Sequence, residues 1–128
     1  MGRGHIKLDF HHRRRSYLWG MVAEYLCMGV LMLKGYSVLA RRYRNPFGEI
    51  DVIAVRGDIV AFIEVKARTR HDEALASVTP AKQQRLLRAA SGFIAAHKKY
   101  AHHGLRFDVM MVTSPWNITH LKDAWRAS

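Results

Sequence analysis

The chain has 128 residues, 49% of them hydrophobic, which is enough for one ordinary core and too apolar for a disordered chain. Lys and Arg number 21 against 10 Asp and Glu, a formal net charge of +11, so a polyanion is the expected partner: nucleic acid first, then ribosomal RNA or an acidic membrane surface. The one cysteine, Cys27, excludes an internal disulfide and fits a reducing, cytoplasmic compartment.

Residues 1–14 are polar, basic and His-containing, without periodicity, and read as a flexible basic arm ahead of a single domain over 15–128. Residues 16–34 read as a helix, with Ser16 as candidate N-cap and Gly35 as its stop. Within it, residues 17–33 are apolar except for Glu24 and follow HHRRR, as a signal peptide or anchor would. Glu24 at mid-segment, Gly20 and Gly29, the short span and the lack of an A-x-A-like cleavage site favour a buried helix and no membrane partner. Residues 36–43 predict a first strand, RNPFG a loop, and 49–55 and 59–66 two further strands. RTRHDEALASV reads as an irregular polar crossing. Thr79 as N-cap and Pro80 at the first helical position open a second helix to about Lys99. Residues 105–113 predict a fourth strand, and SPWNITHLKDAWRAS a turn, a short strand and a frayed end. The order is α-β-β-β-α-β, an α/β fold without repeats or linkers.

The stretch GEIDVIAVRGDIVAFIEVKAR carries charges where buried strands should have none. With Gly57-Asp58 as a two-residue type II′ or I′ turn, Arg56 pairs with Ile59 and Asp51 falls opposite Glu64. Alternation puts Asp51, Glu64, Lys66, Ile53 and Phe62 on one face, and Ile50, Val52, Ala54, Ala61, Ile63 and Val65 on a wholly apolar core face. Facing carboxylates repel unless a cation lies between them. Lys66 supplies one positive charge, and a divalent metal, Mg²⁺ above all, would supply the rest. A solvated salt-bridge cluster is the structural alternative.

These blocks, with GMVAEYL, GYSVLARRYR, GEIDVIA, FIEVKAR, VTPAKQQRLLRAA and RFDVM in order over residues 17–112, resemble the YraN-like family of small bacterial proteins, for which endonuclease activity is expected, and more broadly the resolvase-like branch of the PD-(D/E)XK nuclease superfamily. The resemblance implies a restriction-endonuclease-like core with a mixed central sheet flanked by helices. It implies Asp51 and Glu64 as ligands of Mg²⁺ (Mn²⁺ as substitute), the Val65 carbonyl completing the sphere, and Lys66 orienting the attacking water. Glu24 would be the helix-one acid that reaches the metal directly or through water. Gln83 or Gln84 would face the site. The implied activity is hydrolysis of DNA phosphodiester bonds, with branched or repair intermediates among the candidate substrates. A branched substrate would imply a homodimer with two sites. The sequence departs from the family pattern at Arg42 or Tyr43, where an Asn is usual, and at Ala67, where Thr is usual.

Other charges have plainer readings beside the functional one. Glu24 on an apolar stripe needs a partner, either a metal or an Arg. Glu49, facing Lys66, reads as a metal ligand, a partner for Lys66, or the solvated first residue of its strand, the last foremost. Lys82, Arg85 and Arg88 recur at spacing three, as a solvated face or a phosphate track. Arg68 and Arg70 would flank the site on a nucleic-acid backbone, and Arg13, Arg14 and Arg15 could clamp phosphates. The 8 histidines have no zinc spacing and read as surface residues. Cys27 reads as inert core, and Asn117-Ile118-Thr119 as an idle sequon. No Ser-His-Asp order or Gly-rich phosphate loop is present. A non-catalytic nucleic-acid-binding module on the same fold, and a membrane-surface protein anchored by helix one, are the competing readings.

Overall fold

The computed structural model describes residues 2–67 and 78–126, with side chains described from Tyr17 onward. The first helix, α1, runs unbroken over Gly2–Leu33. Ser16 therefore lies inside it rather than capping it, and the residues expected as an arm extend α1 backwards. Residues 5–19 contain no Gly or Pro to stop a helix, and their sequence shows no apolar period by which to recognise one. At the other end Gly35, at φ 90°, lets the Tyr36 N–H reach the Leu31 carbonyl at 3.0 Å and the Gly35 N–H reach Met32 at 3.1 Å. This left-handed stop is the one glycine adopts most easily.

Five strands form one mixed sheet in chain order: β1 Ser37–Asn45, β2 Gly48–Arg56, β3 Ile59–Lys66, β4 Gly104–Ser114 and β5 Asn117–Trp125. All neighbours are antiparallel except β3 and β4, which are parallel. That parallel step requires the crossover carrying α2, Pro80–Ala96, and a 3₁₀ turn at Lys98–Tyr100. Thr79 caps α2 with Pro80 beside it, as its sequence predicts. β5 is a full nine-residue strand rather than a short one, because its backbone pairs along β4 and Trp125 stacks on Phe107 at 4.2 Å. The observed α/β architecture is the expected mixed sheet between helices, extended by this strand.

Both sheet faces are core. Val52, Ala54, Ala61 and Ile63 pack with Ala23, Cys27 and Leu31 of α1. Ile53, Phe62, Val109 and Met111 pack with Leu86, Ala89, Ala90 and Phe93 of α2. Ile50, expected on the α1 side, joins the α2 side instead, so strict alternation fails between Ile50 and Ile53. Among the described residues no helix is long and apolar enough to cross a membrane.

The β2–β3 register is the one the sequence predicts, from Arg56↔Ile59 to Val52↔Ile63. Gly57 alone takes a positive φ, 60°, in the turn, which selects type II′ over I′. The ladder ends at Val52↔Ile63, while β3 continues beside β4 as far as Lys66↔Met111. β2 therefore parts from β3 just where the charged residues begin. On the other side of β2, Asn45 donates to the Ala89 carbonyl at 2.9 Å and accepts the Phe47 N–H at 3.0 Å, tying the β1–β2 turn to α2. A Cβ on Gly92 would lie 2.8 Å from that Asn45 Nδ2, so glycine there permits the close approach.

Candidate metal and nucleic-acid site

The parting of β2 and β3 leaves an unpaired backbone donor, and Asp51 takes it. Its Oδ2 accepts the Val65 N–H at 2.8 Å. Asp51 and Glu64 therefore meet beyond the end of the ladder rather than as a cross-strand pair. Burial first, and then the charge of Glu64, push the Asp51 carboxyl up to about 7, with the Val65 N–H opposing.

Glu64 is buried and its Oε1 faces two ammonium groups, Lys82 Nζ at 3.0 Å and Lys66 Nζ at 3.4 Å. Burial holds the Lys66 ammonium below the usual lysine range, Lys82 pushes the same way, and Glu64 opposes both. Burial also works against the charge on Lys82, but its contacts with Lys66 and Glu64 outweigh that and raise it. The two lysines are thus pushed in opposite directions, Lys66 on β3 down and Lys82 on the first turn of α2 up. A cavity of about 300 Å³ opens above the acids, lined by Gly48, Glu49, Asp51, Glu64, Lys82 and Arg85 among others. Acids form one wall and cations the other.

Glu24 stands apart from this pair. Its Oε1 accepts from Arg41 Nη1 at 3.1 Å and Arg42 Nε at 3.0 Å. Neighbouring residues of a regular strand point to opposite faces. Here Arg42 takes φ 52°, and β1 shifts register between Val38 and Ala40, so both guanidiniums reach the same oxygen. Arg41 also lies over the Tyr25 ring at 4.8 Å and Arg42 over Tyr17 at 5.5 Å. The arginine partnership weighed for Glu24 is the one formed. The acid still raises Asp51 through its charge, as the last and smallest contribution. Among the described residues no three His, Cys, Asp or Glu side chains gather as a ready metal cluster.

The remaining expected site residues divide. Lys82 and Arg85 line the cavity. Gln83 donates to the Val78 carbonyl at 3.1 Å, which occupies its amide at the entry to α2, and Gln84 is exposed. Val65 enters the site by its N–H. Glu49 lines the cavity but pairs with Arg44 at 3.1 Å rather than with Lys66. Arg68 and Arg70 lie outside the described residues. Cys27, fully buried, is pushed up to about 12 by burial and then by Asp51 and Glu24, as an inert core thiol should be.

One buried cluster has no counterpart in the sequence reading. Asp108 accepts from Arg106 Nε at 2.8 Å, His120 Nε2 at 2.8 Å and the Asp123 N–H at 3.0 Å. Lys34 Nζ lies 3.2 Å from the other His120 nitrogen, so His120 bridges α1's end to β4 and is not a surface histidine. Only the Asp inside the apolar run RFDVMMV hints at it.

The donor set fits a hard divalent cation in part. Two adjacent carboxylates offer oxygen ligands and an excess of negative charge, and Mg²⁺ keeps several waters when few protein ligands are available. Glu24 does not join them, because Arg41 and Arg42 hold it.

The sequence profile of the family described as uncharacterised protein family UPF0102 matches residues 23–112, a span that includes Glu24, Asp51, Glu64, Lys66 and Lys82. The UPF0102 protein of Bradyrhizobium diazoefficiens is 42% identical over 127 residues, 99% of this chain and 96% of that relative. A UPF0102 protein of Rhodopseudomonas palustris strain BisA53 is 44% identical over 116 residues, 91% of this chain and 89% of its own length. One from Paramagnetospirillum magneticum is 46% identical over 112 residues, 84% of this chain and 86% of its own length.

Proposed function

The chain belongs to the uncharacterised protein family UPF0102, and from that membership and the acid–lysine cluster we propose that it is a metal-dependent nuclease of the PD-(D/E)XK type that hydrolyses DNA phosphodiester bonds in the bacterial cytoplasm. The observation that carries the reading is the meeting of Asp51 and Glu64 beyond the β2–β3 ladder, with Lys66 beside Glu64 at 3.4 Å. Glu64 is buried and Asp51 half-buried beside it, and the repulsion between two such acids is what a divalent cation would relieve.

Mg²⁺ or Mn²⁺, held by Asp51 and Glu64 with the Val65 carbonyl as the further expected ligand, would supply Lewis acidity and lower the pKa of the attacking water. The chain's own groups do the rest. Lys66 donates to that water to orient it and offsets the negative charge that grows on the phosphorus oxygens as it attacks. Lys82 and Arg85 on the cavity's cationic wall draw the phosphodiester in. As the new P–O bond forms, the ester P–O bond opposite it breaks; the attacking water gives up its proton to solvent and the leaving oxygen takes one from solvent. Arg68, Arg70, Gln83 and Gln84 remain proposed contacts to the nucleic-acid backbone.

A second reading is a non-catalytic nucleic-acid-binding module. It is favoured by the ion pairs that already neutralise Glu64 and Glu24 without a metal. The discriminating experiment titrates Mg²⁺ and Mn²⁺ into wild type and Asp51→Asn, then assays both, with Lys66→Ala, on linear, flapped and branched DNA. The nuclease reading expects metal-dependent cutting, a loss of at least about 10²-fold in Lys66→Ala, and DNA binding nearly unchanged. Salt-sensitive DNA binding with no metal binding and no cutting would establish the module instead.

A further inference from the structure

Lys82 occupies a place that a lysine does not choose for the helix's sake. It is the third residue of α2, where its own N–H donates to Thr79 Oγ1 at 3.3 Å. The first turn of a helix repels cations, and no acid stands in that turn to soften the repulsion. What it gains is Glu64 Oε1, 18 residues away in sequence and 3.0 Å away in space.

A lysine ammonium and a divalent cation compete for the same carboxylate lone pairs. Lys66 cannot yield easily, because its strand is fixed by β4 at Lys66↔Met111 and its side chain is 11% exposed. Lys82 can, because its side chain is 29% exposed and lies at the cavity wall beside Arg85. We propose that Lys82 is a displaceable counter-ion of Glu64: it holds the carboxylate in the metal-free protein and leaves Oε1 when a divalent cation enters, so that it sets the metal threshold of the site. This inference rests on the metal-dependent reading above. A lysine that only contacted phosphate would have no effect on metal affinity in the absence of nucleic acid, and a lysine that helped build the metal site would weaken it when removed.

The test uses the full chain without nucleic acid. Mn²⁺ is titrated into wild type, Lys82→Met and Lys82→Gln by calorimetry, with free Mn²⁺ followed by electron paramagnetic resonance and folding checked by circular dichroism. The expected result is Mn²⁺ binding about tenfold tighter or more in both variants, the size of effect a part-exposed unit charge next to a buried carboxylate produces. In wild type, the Lys82 side-chain amine resonance should shift on adding Mg²⁺ as its bond to Glu64 breaks. Unchanged or weaker metal affinity in the folded variants, or a Lys82 resonance indifferent to bound Mg²⁺, overturns the counter-ion role while leaving the metal site standing. No metal binding by wild type or either variant overturns the metal-dependent reading and this inference together.

Discussion

Asp51→Asn is expected to make the metal-free protein more stable at neutral pH while removing its metal affinity. In wild type, burial and Glu64 raise the Asp51 carboxyl from 3.8 to about 7. Between those two values the native state keeps a proton that the unfolded chain has lost, so stability falls as pH rises through that window. At about 1.36 kcal/mol per pH unit the whole span would be worth roughly 4 kcal/mol. Asp51 retains some contact with solvent, and screening brings this to about 2 kcal/mol. Asn keeps a carbonyl oxygen for the Val65 N–H, now accepted at 2.8 Å, so little of that bond is lost. Urea unfolding in a chelator should therefore find Asp51→Asn about 2 kcal/mol more stable than wild type at pH 8, with the gap closing towards pH 4. Parallel pH profiles, or a variant less stable at pH 8, would refute the picture of a strained acid pair.

Asp108 should behave in the opposite sense. Burial raises its carboxyl, but His120, Arg106 and the Asp123 N–H outweigh burial and hold it below the usual 3.8. Its contribution is complete above about pH 4 and is lost as pH falls further, and Asp108→Ala should cost about 3 kcal/mol at pH 7 in urea unfolding by stranding Arg106 and His120. Cys27, pushed up to about 12, should resist thiol reagents at pH 8 in the folded protein, with modification following the unfolding equilibrium. Rapid labelling without unfolding would contradict its burial in the α1–sheet core.

Much of the site was legible because the relevant signals are local. The Gly57-Asp58 turn and alternating apolar residues determine the hairpin register, and the observed pairing agrees from Arg56↔Ile59 to Val52↔Ile63. Thr79-Pro80 and Gly35 mark helix ends because caps are made within a few residues. The start of α1 was not legible, since residues 1–14 are polar and basic with no apolar period to read. Nor was β5 as a full strand, because a short polar-flanked run becomes one only when β4 offers its edge.

Partner choice among the charges is the clearest division between chain and fold. Amino-acid order places Asp51, Glu64 and Lys66 within reach of one another, because a two-residue turn leaves the strands nowhere else to go. Three-dimensional packing decides that β2 leaves β3 after Val52, that Asp51 caps Val65, that Lys82 rather than a glutamine reaches Glu64, and that Glu24 belongs to two arginines. Each of these contacts joins residues 14 or more positions apart in the sequence. Turn geometry acts over a few bonds and is written in neighbouring residues, whereas an ion pair depends on which surfaces the whole fold brings into contact.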